Sequence, residues 1–277
     1  MKKALIIGGS GVLGTALAYL LQARQVDFCI GSRRQFKSDS YSPSQPDSTL
    51  PWRRVDLLTG EGLAEALAGV DTVFHLASDQ RQVANEPFEV VATRHLLAAL
   101  QRSNVQHLLY SSIVGVEVIP LGYYQAKLAA EQLIQHSGLP YTIVRATQFH
   151  QFVESLLAKL LKFPIGLVPR QLVVQPIDAL VVAQALLAAA QRRPQEGILA
   201  IAGPAVLDFG TLASSWLASR HLRKPLLNIP LIGEVMHCVA RGAATDPAAA
   251  TPSRGWFDYL AEKYPTSVAA TPAVGAK

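Results

Sequence analysis

Two cysteines in 277 residues, Cys29 and Cys238, exclude a disulfide framework, and neither stands at metal-ligand spacing. Both read as small buried hydrophobes. The histidines, His75, His95, His107, His136, His150, His221 and His237, are scattered with no pair spaced to share a metal ion, so most read as surface or satisfied structural residues. No apolar run is long and unbroken enough to span a bilayer. The hydrophobic content of 50% is therefore assigned to buried strands and helices of a parallel sheet. Lys2 and Lys3 ahead of an apolar stretch imitate a secretory signal, but the Gly-Gly-Ser-Gly at its centre argues against one, so a cytoplasmic chain without a membrane partner is expected. Aromatic residues make up only 7%, and a net charge of +5 without a long Lys/Arg run or interleaved aromatics gives no basis for a nucleic-acid partner.

What the chain does have is alternation. Apolar runs and helical patterns follow one another from residue 4 to about residue 145, the signature of βαβ units. Strands are expected over 4–7, 27–31, 52–55, 72–76, 107–111 and 141–145, and helices over 15–25, 62–67, 87–102 and 123–136. Right-handed crossovers place the strand ends on one edge, where ligand chemistry gathers. A Ser-, Pro- and Asp-rich insertion over 35–51 is expected to be a solvated, mobile loop. Beyond residue 150 helices are expected over 153–162, 179–192 and 207–220, the last entered through Asp208, with short strands over 172–175 and 198–202.

The first strand runs into Gly8-Gly9-Ser10-Gly11-Val12-Leu13-Gly14, and a helix follows. Glycines at this spacing serve a phosphate-binding turn: Gly8 for the turn, Gly11 for close approach of a pyrophosphate, Gly14 for tight packing of helix on sheet. The helix start then offers free N–H groups to an anion. The motif, with Ser10, Val12 and Leu13 between its glycines, predicts a dinucleotide cofactor. Which one depends on the end of the second strand, Cys29-Ile30-Gly31-Ser32-Arg33-Arg34, where no acid is available for a ribose 2′-OH. Arg33 first, and Arg34 second, are candidates for the 2′-phosphate of NADP(H), with NAD(H) as the other cofactor in play. Two arginines opening a polar loop would look the same. Asp56 with Leu57 follows the third strand and is placed at the adenine, although an Asp there also suits an N-cap. Ala77, after the fourth strand, lets the cofactor lie against the backbone.

Tyr123 and Lys127, four apart, share a helical face after the fifth strand. An ammonium beside a phenol favours proton exchange with a substrate oxygen while also holding the nicotinamide ribose. Ser111 and Ser112, ending the preceding strand, can bond the same oxygen. These four are the candidate catalytic residues.

With these residues assembled, the chain resembles the short-chain dehydrogenase/reductase superfamily, and within it the atypical NmrA-like, NAD(P)H-binding branch, over about residues 1–260. The carriers are the glycine turn, Tyr110-Ser111-Ser112-Ile113-Val114-Gly115-Val116, Gly122-Tyr123-Tyr124-Gln125-Ala126-Lys127, and the run from Ser137 to Phe149. The resemblance implies that Thr147 and Gln148 lie beside the nicotinamide, that the chain after residue 150 shapes a substrate pocket, and that Gln175-Pro176-Ile177-Asp178 returns to the sheet. Two departures stand out. The asparagine that typical members supply from the helix before the serine strand is absent from 88–101, and the turn 115–122 is short, so the serine facing Tyr123 is left open. His150 is kept as a candidate substrate contact, because Phe149-His150-Gln151-Phe152 should leave the sixth strand toward the pocket.

The expected fold is α/β, a Rossmann-type doubly wound parallel sheet: a dinucleotide-binding core over 1–150, a small C-terminal substrate-binding region over 151–264, and a disordered tail over 265–277. The expected function is reduction of a small carbonyl, enone or quinone compound by NADPH, with a small-molecule substrate as the partner. The alternative is an NADP(H)-binding sensor or regulator without turnover. An epimerase acting on a nucleotide-linked sugar ranks third, for want of a second diphosphate site after residue 150.

Overall fold

The structure, a computed structural model, describes residues 1–35 and 50–265. The tail, and all of the expected polar loop but its ends, lie outside the described residues. Strands are β1 (Lys3–Ile7), β2 (Asp27–Ser32), β3 (Trp52–Arg54), β4 (Thr72–His75), β5 (Gln82–Val83), β6 (Glu86–Pro87), β7 (His107–Ile113), β8 (Tyr141–Ala146), β9 (Gly166–Val168), β10 (Val173–Val174), β11 (Gly197–Ile201), β12 (Leu207–Asp208) and β13 (Leu226–Asn228). Helices are α1 (Val12–Ala23), α2 (Leu63–Leu67), α3 (Phe88–Leu100), α4 (Gly122–Gln135), α5 (His150–Leu160), α6 (Ala179–Ala190), α7 (Phe209–Ser219), α8 (Gly233–Ala240) and α9 (Trp256–Lys263).

Seven strands form one all-parallel sheet in the order β3-β2-β1-β4-β7-β8-β11. Their apolar runs are buried on both faces, as a sheet covered by crossover helices requires. Ala4, Ile6, Ile30, Leu109 and Val144 face α1 and α6. Leu5, Ile7, Val73, Leu108 and Ile143 face α2, α3 and α4. Strand order reverses between β1 and β4, so the crevice beyond their carboxyl ends is the ligand position of a doubly wound fold.

Beyond β8 the chain builds a third core, in which Val153 and Leu157 of α5 meet Phe209 and Trp216 of α7 and Trp256 and Leu260 of α9. β5, β6, β9, β13, α8 and α9 were not anticipated, because two- and three-residue strands and eight-residue helices carry too little periodicity to read. Asp208 does cap α7, its carboxylate accepting from the Thr211 N–H at 2.9 Å. The return at Ile177 is a single parallel bridge to Phe149 instead of a full strand. No helix among the described residues is long and apolar enough to cross a membrane.

Candidate functional site

The glycine turn folds as its spacing predicts. Gly8 has φ +90°, and a Cβ there would lie 2.5 Å from the Ala77 nitrogen on the segment after β4, while one on Gly14 would lie 2.3 Å from the Gly8 carbonyl oxygen. Both positions are closed to any side chain. Gly11 differs, since its Cβ would meet only the Gly8 oxygen, at 3.5 Å. It has ordinary φ of −78° and caps α1 without any side-chain hydrogen bond. Ser10, Gly11 and Val12 are exposed, whereas Leu13 packs into the core. An uncapped helix start beneath an open, side-chain-free ledge fits a pyrophosphate.

Arg33 and Arg34 stand exposed just past β2, whose last residue Ser32 is braced by the Trp52 indole N–H at 2.9 Å. Asp56 is not an N-cap, because Gly62 holds that place at α2. Its carboxylate instead accepts from the Leu58 N–H at 2.8 Å, closing a tight turn. Leu57 is buried, and its carbonyl meets His95 Nδ1 at 2.8 Å. Thr147 is buried, its hydroxyl accepting from the Gly203 N–H at 3.1 Å, and Gln148 donates to the Ala244 carbonyl at 2.9 Å. Both residues implied by resemblance thus also bind the C-terminal region to the end of β8.

Tyr123 and Lys127 lie on one face of α4, but their partners differ from those expected. The Tyr123 hydroxyl meets Ser78 Oγ, from the segment after β4, at 2.7 Å. Lys127 turns inward: its ammonium lies 3.1 Å from Glu89 Oε2, donates to the Ser111 carbonyl at 3.0 Å, and sits 4.7 Å from the centre of the Tyr110 ring. Its side chain is 3% exposed. Ser111 therefore contributes its backbone to the lysine, whereas Ser112 is buried with a hydroxyl that has no partner.

Glu89 of α3 is the residue that sequence reasoning missed. It is completely buried and accepts from Lys127, from Ser78 Oγ at 2.5 Å, from the Asp79 N–H at 3.2 Å and from the Tyr110 hydroxyl at 3.1 Å. Burial, and then the Glu89 charge, push the Tyr110 phenol well above its ordinary range, so it stays a donor. The signal was present in the sequence: an acid in the first turn of a helix whose apolar face is buried, in the helix where the usual asparagine is absent. His75 sits beneath this cluster with Nε2 3.1 Å from Thr93 Oγ1. Burial, reinforced by the Lys127 charge, depresses it to about 3, so it is neutral. His150 does not reach the crevice. It is fully buried against Trp256 and Tyr259, with ring centres at 6.1 and 5.0 Å.

A family model described as NAD(P)H-binding matches residues 8–173. Among curated proteins, the N-acetyl-alpha-D-glucosaminyl-diphospho-ditrans,octacis-undecaprenol 4-epimerase of Escherichia coli O157:H7 is 32% identical over 117 residues. That match takes in 40% of this chain and 32% of that protein, so the chain spans about a third of its relative's length. A solved nucleoside-diphosphate-sugar epimerase from Staphylococcus aureus superposes with TM-score 0.72 at 19% identity, covering 93% of this chain and 99% of that one. An NADPH-dependent quinone oxidoreductase from Escherichia coli gives 0.71 at 14%, covering 94% and 99%. The Bordetella bronchiseptica enzyme WbmF, solved with NAD+, gives 0.71 at 17%, covering 94% and 90%. At these identities the likeness to the solved structures is one of fold.

Proposed function

The chain belongs to the NAD(P)H-binding family, and from that premise we propose that it is an NADPH-dependent oxidoreductase of the atypical short-chain type, reducing a small carbonyl, enone or quinone compound. One observation carries the reading. The backbone at Ala77 presses against Gly8 of the phosphate turn, and the next residue, Ser78, bonds the Tyr123 hydroxyl. A dinucleotide laid along the turn and across Ala77 would therefore pass close to the half-buried Tyr123 phenol of α4.

When bound, the nicotinamide supplies or accepts a hydride. The chain's own part is binding and proton handling. Gly8, Gly11, Gly14 and the start of α1, through Ser10, Val12 and Leu13, would hold the pyrophosphate. Arg33, with Arg34, would hold a 2′-phosphate, and Asp56 with Leu57 the adenine end. Ala77 and Thr147 would border the nicotinamide side, and Lys127 lies within reach of that wall. Tyr123 gives a proton to the substrate oxygen, and the unpaired Ser112 hydroxyl, with Ser111 beside it, fixes that oxygen.

Purified protein assayed with NADPH against menadione, phenanthrenequinone, benzaldehyde and cyclohexanone tests the reading. The expected result is oxidation of NADPH with at least one of them, reduced roughly a hundredfold by Tyr123→Phe with NADPH binding retained. Binding of NADPH without turnover, coupled to altered association with a protein, would favour the sensor instead.

A further inference from the structure

We infer that Glu89 is the inner end of a proton relay, Tyr123–Ser78–Glu89, that stores the proton exchanged with the substrate oxygen. The inference rests on the oxidoreductase reading above and assigns the direction of every hydrogen bond at Tyr123. Four donors converge on the Glu89 carboxyl group: the Lys127 ammonium, the Asp79 N–H, the Tyr110 hydroxyl and the Ser78 hydroxyl. The group accepts at both oxygens, Oε1 from Ser78 and Asp79 and Oε2 from Lys127 and Tyr110. Ser78 has one hydroxyl proton and donates it to Glu89 Oε1 at 2.5 Å. Its contact with Tyr123 at 2.7 Å must therefore be one in which the phenol donates and Ser78 accepts. The phenol proton points into the protein, and the oxygen turns a lone pair to the crevice.

In this state the site is ready for a substrate hydroxyl. The substrate O–H proton passes to the Tyr123 oxygen, the phenol proton to Ser78 Oγ, and the Ser78 proton to Glu89 Oε1. A bound oxidised nicotinamide would take the hydride of the carbinol carbon, leaving a carbonyl. Reduction is the same sequence reversed: the proton held at Glu89 Oε1 returns through Ser78 and Tyr123 to the carbonyl oxygen, whose carbon a bound reduced nicotinamide would supply with hydride. One proton and one hydride move in each direction, so the balance closes on groups present in the site and the cofactor.

The other carboxylates nearby are occupied. Asp79 pairs with the Arg81 guanidinium at 3.0 Å, and Glu131 takes two bonds from Arg145. Tyr124 meets the Tyr123 ring edge-on, with centroids 6.2 Å apart, and is no part of the chain of bonds. Ser78 is exposed, so the relay can recover its proton from water between turnovers.

The relay is tested at its middle link, because Glu89→Gln strands Lys127 without its counter-charge and can unfold the protein. Ser78→Ala should reduce NADPH-dependent reduction of menadione and phenanthrenequinone roughly tenfold or more, with the KM for NADPH unchanged and Ser78→Thr restoring most of the rate. In cofactor-free protein, urea unfolding of Ser78→Ala, Tyr123→Phe and the double variant should be non-additive by at least about twofold in the unfolding equilibrium constant. Wild-type turnover matched by Ser78→Ala, or strict additivity in the unfolding cycle, overturns the relay and leaves the oxidoreductase reading standing. A wild type that reduces none of the probes overturns the oxidoreductase reading, and the relay falls with it.

Discussion

Lys127 Nζ lies 3.1 Å from Glu89 Oε2, and the two side chains are 3% and 0% exposed. The lysine of the Tyr-x-x-x-Lys pattern is thus half of a buried ion pair. Removing one member of such a pair leaves an unpaired charge in a low-dielectric interior. Lys127→Met should therefore destabilise the fold by about 3 to 5 kcal/mol, and adding Glu89→Gln should restore most of that loss. Urea midpoints of Lys127→Met, Glu89→Gln and the double variant check this. A single variant as stable as wild type would mean that the pair is solvated.

The glycines of the phosphate turn separate by role. A Gly11 side chain meets nothing closer than 3.5 Å, whereas one on Gly14 is driven to 2.3 Å from backbone oxygen. Gly11→Val is expected to fold with a normal thermal midpoint and to lose NADPH binding, since its branched side chain occupies the phosphate ledge. Gly14→Ala is expected to lose the fold itself. Fluorescence titration with NADPH alongside thermal melts distinguishes them, and normal binding by folded Gly11→Val would remove the ledge from the cofactor site.

The proposed preference for NADPH is tested at Arg33. If its guanidinium meets the 2′-phosphate, NADPH binds more tightly than NADH, and Arg33→Ala erases a preference worth on the order of 1 to 3 kcal/mol. Isothermal titration with both cofactors measures it. Equal affinities in the wild type would move the specificity elsewhere.

Three buried histidines make the fold sensitive to acid. Burial holds His75 at about 3, and His107 and His150 at about 4, against an ordinary value of 6.5. They are neutral in the folded protein, while the unfolded chain takes up their protons as pH falls below 6.5. Each therefore contributes stability that is present above pH 6.5 and is lost progressively toward pH 4. The slope is about 1.4 kcal/mol per pH unit per histidine. Between pH 7 and pH 5 the loss reaches up to about 6 kcal/mol. Glu154, held at about 2 by Lys263, Tyr259, Tyr264 and Trp216 against the cost of its burial, adds to the loss only below the usual carboxylate range. Urea unfolding at the two pH values checks the sign and size.

The local readings that held are those in which a residue's own geometry decides the outcome. The turn at Gly8–Gly14 was legible because only glycine tolerates φ +90° and the close approach of Ala77, and the alternation of apolar runs was legible because a parallel sheet buries both faces. Tyr123 and Lys127 on one face of α4 followed from helical periodicity alone. Their partners did not. Tyr123 bonds Ser78 from 45 residues away, and Lys127 pairs with Glu89 on a different helix, because the packing of α3 against α4 and of the post-β4 segment against the phosphate turn brings them together. Which serine stands at the phenol was likewise open in the sequence: it is Ser78, while Ser111 gives its carbonyl to Lys127 and the Ser112 hydroxyl is buried. A strand's alternation says which face a serine takes, but which side chain stands opposite is settled by the elements packed there. The sequence by itself determined the sheet, the glycine turn and the Tyr–Lys face, since each is written in spacing along one element. Tertiary structure alone decided the ion pair, the serine at the phenol and the burial of His150, since these depend on distances between elements that no local pattern encodes.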